Sequence, residues 1–147
     1  MSNNPFVGSW TYRSFKNDPD ISKDVDSLVF GEGTIVINDG DPEELLTGTI
    51  GGDGWGPLYL HGSRAYGSPM QVRFQGKGLQ NGEEWVYDYI GWLVPVWPNS
   101  DATLQTDAIV GSVVRTVPHS SGTDPKTGEK TIAPAGVVAS FYAVRAS

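Results

Sequence analysis

The residues best equipped for chemistry in this chain are aromatic hydroxyls, one arginine and two histidines. Trp85, Tyr87 and Tyr89 recur at every second position, the spacing that sets side chains on one face of a strand. Tyr12 and Ser14 repeat that step near the start, counted from Trp10, and Arg115 ends a valine-rich run in which it shares a face with Gly111 and Val113. Tyrosine rings with one guanidinium suit a small, mostly apolar molecule carrying a carbonyl or carboxylate. The rings supply contact area, and the hydroxyls and N–H fork fix orientation. His61 and His119 are the two histidines, and histidine is the usual general acid or base because it titrates near neutrality. Each of these residues also has a plain structural reading. A tyrosine can fill a core, a histidine can pack or sit on a surface, and Arg115 can pair with Asp88 or Glu84.

Other chemistries find less support. No Gly-X-Ser-X-Gly elbow or Ser/His/Asp order is present, so a hydrolase is disfavoured. Two histidines without metal-ligand spacing, and no cysteine at all, predict no zinc site. Asp18, Asp20, Asp24 and Asp26 lack the glycine and terminal glutamate of a calcium loop and read as a solvated acidic segment. The Gly-rich stretch 51–56 has no following Lys-Ser/Thr and reads as a turn. Nothing calls for a metal or cofactor. The net charge of −7, without a basic cluster, argues against nucleic acid and anionic membranes as partners.

The elements that must position these residues are strands. The chain has 147 residues with nineteen glycines and ten prolines, alongside five Trp, six Tyr and five Phe. That mixture disfavours helical bundles and disordered chains alike. Eight apolar runs separated by turn chemistry predict one all-β domain over residues 1–147. They fall at 6–15, 27–37, 45–50, 58–66, 70–75, 84–96, 108–117 and 135–145. Gly31 and Gly33 mark a bend or bulge, and Asn81-Gly82 marks a hairpin. Residues 97–107 read as a loop, and residues 119–134 as a polar excursion. Eight strands with hairpin-length connections predict an antiparallel up-and-down barrel, which leaves no open edge and can hold one small ligand. The loops at 16–25, 52–56, 77–83 and 118–134 then share the mouth. On the 84–96 strand the Trp85, Tyr87, Tyr89 face is expected inside. Ile90, Trp92 and Val94 then form an outward stripe suited to a homo-oligomeric contact.

Gly8-Ser-Trp10 resembles the Gly-X-Trp that opens the first strand of calycin barrels, the lipocalin and avidin/streptavidin group. Residues 34–38 and 46–50 resemble the second and third strands of the streptavidin type. The resemblance implies that Trp10 closes one end of the barrel and that Arg145, on the last strand, packs on it. The biotin-binding residue set of the avidin group has no counterpart here, so biotin is not the expected ligand. The expectation is a cytoplasmic, calycin-like barrel holding a small apolar or aromatic molecule. Tyr12, Ser14, His61, Trp85, Tyr87, Tyr89, Arg115 and His119 are its candidate ligand-binding residues. The alternative is an enzyme of cyclase or isomerase type on the same frame, acting by shape and hydrogen bonding.

Overall fold

Alternation along the strands decides what faces inward. In a computed structural model of the chain, residues 4–40, 42, 45–96 and 105–146 are described. They form β1 (Gly8–Phe15), β2 (Val29–Asp39), β3 (Leu45–Gly52), β4 (Trp55–Ala65), β5 (Gln71–Gln80), β6 (Glu83–Val94), β7 (Ala108–Arg115), β8 (His119–Thr123), β9 (Lys130–Ala133) and β10 (Val138–Arg145). A single 3₁₀ turn, Val25–Leu28, precedes β2. Strands β1 to β7 and β10 close a barrel in chain order, every neighbour antiparallel, while β8 and β9 pair only with each other. On β5, Val72 and Phe74 are buried while Gln71, Arg73 and Gln75 are exposed, the period of two that a one-sided strand requires. The Asn81-Gly82 turn has positive φ at both residues (53° and 80°) and joins β5 to β6, as a two-residue hairpin demands.

Two expectations are corrected. Residues 119–134 are not a loop: β8 and β9 pair across the mouth, with His119 opposite Ala133. Polar backbone crossing a barrel end must find partners, and pairing with itself supplies them. The fifth strand runs on to Gln80, because Gly76 and Gly78 continue the ladder where no side-chain alternation announces it. Of the 97–107 loop, residues 97–104 lie outside the described residues.

The bottom of the barrel is filled. Ile35, Ile37, Leu46, Ile50, Leu58, Leu60, Val72 and Ile109 are buried and belong to one apolar cluster with Phe6 and Trp10. Trp10 faces Arg145 across the β1–β10 ladder. The Arg145 guanidinium carbon lies 4.2 Å from the Trp10 ring centroid. Its Nε donates to both oxygens of Asp107 at 2.8 Å, its Nη1 to the Val7 carbonyl at 2.9 Å and its Nη2 to the Pro5 carbonyl. Trp10 Nε1 donates to the Phe6 carbonyl at 3.0 Å. One cation thus covers the indole, ties both chain termini together and seals this end. On the outer wall, Ile90, Trp92 and Val94 are exposed, and Tyr142 lies on the same side of the sheet.

Replacing Arg145 with methionine keeps most of the packing volume but removes the ion pair and the carbonyl contacts. We expect it to lower unfolding free energy by about 2–4 kcal/mol, read as a shift in urea midpoint. A change below roughly 0.5 kcal/mol would show that this seal is not needed.

Candidate functional site

At the end opposite Trp10 the filling stops. A cavity of about 210 Å³ opens among Tyr12 on β1, Phe30 and Gly31 on β2, Trp55 on β4, Trp85, Tyr87 and Tyr89 on β6, Arg115 on β7 and His119 on β8. Period-two spacing brings the three β6 side chains to one wall. Phe30 arrives by a different route. Opposite Ser14 and Phe15 the β2 register jumps from Gly31 to Val29, so Phe30 is the extra residue of a bulge that turns its ring toward the interior. Gly31 beside it leaves the wall open, since a Cβ there would only reach van der Waals contact with Ser14 Oγ (3.5 Å) and Tyr12 Cε1 (3.7 Å).

The polar groups gather on one side. His119 stacks on Trp85 at 4.0 Å with 14° between the rings, and its Nδ1 lies 2.9 Å from the Ser120 carbonyl. A carbonyl can only accept, so Nδ1 carries the hydrogen, and in the Nδ1–H tautomer Nε2 is the acceptor. The Tyr87 hydroxyl, 2.7 Å from Nε2, therefore donates to it. Arg115 Nε in turn donates to the Tyr87 oxygen at 3.1 Å. The result is a directed chain from guanidinium through phenol to imidazole. The same contacts fasten the β8–β9 hairpin over the mouth, together with Arg115 Nη1 donating to the Pro134 carbonyl at 3.2 Å and the Ser120 N–H donating to the Glu83 carboxylate at 3.2 and 3.3 Å.

The opposite side is aromatic. Tyr12 and Tyr89 meet edge to face at 6.0 Å, and Phe74 stacks on Tyr89 at 4.8 Å. Burial pushes the Tyr12 hydroxyl up to about 12, with hydrogen bonding from Ser14 and Tyr89 opposing it only partly. Burial, joined by Tyr12, holds Tyr89 well above the ordinary phenol range. Both rings stay neutral across the physiological range.

Six of the candidate residues, Tyr12, Trp85, Tyr87, Tyr89, Arg115 and His119, line this one cavity. Ser14 lies just beneath it, fully buried, with Oγ donating to the Gly31 carbonyl at 3.3 Å. His61 is a correction. It is exposed on the outer face of β4 with Tyr59, because Leu58 and Leu60 take the inward positions of that strand. The pairing considered for Arg115 is also absent. Glu84 pairs with Lys77 at 3.5 Å, and Asp88 accepts from Gln75 at 3.0 Å. Phe30 and Trp55 are lining residues that the sequence reading missed. The glycines beside them were the available signal. No protein-family model, curated protein or solved structure matches the chain in comparison.

The tyrosines set a test with a definite sign. Above pH 10 the unfolded chain loses the Tyr12 proton, whereas the folded chain keeps it up to about 12. Stability therefore falls as pH rises through that window, by up to about 1.4 kcal/mol per pH unit for this one group. Urea midpoints measured across the window should decline, and Tyr12→Phe should remove its share of the decline. An equal slope in the variant would contradict the buried, neutral phenol.

Proposed function

We propose that this protein is a calycin-type barrel that binds a small, largely apolar molecule in its mouth cavity. Tyr12 and Tyr89 form the apolar wall, Phe30, Trp85 and Tyr87 the side nearer the cation, and Arg115 sets orientation. The observation that carries the reading is the cavity itself, an aromatic hollow above a filled core with its polar groups on one side. A well-packed barrel of this size would close that space with side chains. An apolar cavity of about 150 Å³ accommodates benzene, so about 210 Å³ suits a single ring with a short substituent. The Trp10–Arg145 stack supports the calycin assignment. The exposed Ile90, Trp92 and Val94 support a second copy of the chain against that outer wall as part of the same proposal.

One observation favours a second reading, an enzyme of isomerase type. The Tyr87 hydroxyl sits between a cation and an imidazole acceptor, where it could pass a proton to or from a bound ligand. A carrier and an enzyme then differ in whether Tyr87→Phe abolishes turnover or merely adjusts affinity.

Gly31→Leu is the sharpest test of the cavity, because the backbone there tolerates a side chain and the side chain must occupy the hollow. Isothermal titration with single-ring probes (benzyl alcohol, phenylacetamide, phenylacetate) is expected to give saturable one-to-one binding of at least one probe to the wild-type protein. In a folded Gly31→Leu variant affinity should fall by at least about tenfold. Equal binding in both proteins would place the ligand elsewhere.

A further inference from the structure

The cavity wall holds a cation with no matching anion. Among the described residues the ion pairs are Arg13–Glu32, Lys23–Asp18, Lys77–Glu84 and Arg145–Asp107; Arg115 is in none of them. Its partners are neutral: the Tyr87 hydroxyl, the Pro134 carbonyl and the face of Phe30, whose centroid is 4.9 Å from the guanidinium carbon. Nη2 forms no hydrogen bond with the described residues. The carboxylates nearest in sequence and register are engaged elsewhere, as the Lys77, Gln75 and Ser120 contacts show.

The unfilled requirement here is one negative charge, on the side of the cavity facing away from Tyr12 and Tyr89.

Resting on the reading of this cavity as a ligand site, we infer that its ligand class is the small monocarboxylate with a single flat ring. The ring lies against Tyr12 and Tyr89, and the carboxylate meets Arg115. A carboxylate offers two acceptor oxygens to a guanidinium fork. One uncompensated cation balances one charge, and the mouth loops carry Asp18, Asp20, Asp24, Asp53 and Glu83, which oppose multiply charged anions such as phosphate esters. The cavity volume of about 210 Å³ sets the scale of the part it encloses, a single ring with a short substituent.

Phenylacetate and phenylacetamide have nearly the same shape and differ in charge. Near neutral pH, isothermal titration should show the acid binding at least about tenfold more tightly than the amide. Arg115→Gln should reduce that preference to within about twofold, while Arg115→Lys, which keeps the charge, should retain a preference for the acid. Equal affinity of the two probes for the wild-type protein would overturn the anion assignment without touching the cavity as a binding site, and this comparison needs no variant. An acid preference that survives in Arg115→Gln would overturn the role of Arg115. Failure of both probes to bind would overturn the ligand-site reading together with the inference built on it.

Discussion

An eight-stranded barrel has a nearly fixed interior width, and the rest of this molecule follows from how side chains fill it. At the Trp10 end, branched aliphatics from β2, β3, β4, β5 and β7 are buried in one cluster with Phe6 and Trp10. At the other end the inward positions belong to Gly31 and flat rings, which cannot interdigitate as completely. The void is therefore a consequence of residue type at inward positions, placed by strand alternation, rather than of a separate structural device. Strands joined to neighbours on both sides make a rigid frame for such a hollow.

The Tyr87 hydroxyl links that frame to its roof. It accepts from Arg115 on β7 and donates to His119 on β8, so the hairpin, the cation and the aromatic wall share one hydrogen-bond chain. A neutral chain of this kind leaves the guanidinium charge uncompensated, which a surface arginine would lose to solvent and a core arginine to a carboxylate. Here the half-buried guanidinium borders a largely apolar space, where its attraction for an anion is less screened than in bulk water. The same placement serves binding and, with the proton on Tyr87 already directed at an imidazole, proton transfer.

Much of this was legible in the residues. Eight strands, the Asn81-Gly82 hairpin and the inward run of Trp10, Tyr12 and Ser14 follow from alternation and turn chemistry. Choosing the inward face of β6 followed from weighing Trp85, Tyr87 and Tyr89 against Ile90, Trp92 and Val94. Two things stayed hidden for physical reasons. The β8–β9 strands are mostly Ser, Thr, Gly and Lys, with His119, Ile132 and Ala133 too few to show an apolar period. Phe30 and Trp55 enter the cavity through a bulge and a glycine-rich turn, where alternation breaks and facing cannot be counted. His61 shows the converse: histidine and Tyr59 share a face, but Leu58 and Leu60 claim the inside by the simple cost of exposing them.

The central claim is that the mouth cavity receives a ligand beside Trp85. The most direct measurement is the indole N–H spectrum of the ¹⁵N-labelled protein during titration with phenylacetate. Among the five tryptophans, Trp85, whose ring lines the cavity, should move strongly and saturably in the ring current of the bound probe. Trp10, already bonded to the Phe6 carbonyl at the far end of the barrel, and Trp92, on the outer wall, should stay in place. A Trp85 resonance that does not respond to saturating phenylacetate, or small equal shifts of all five, would contradict it.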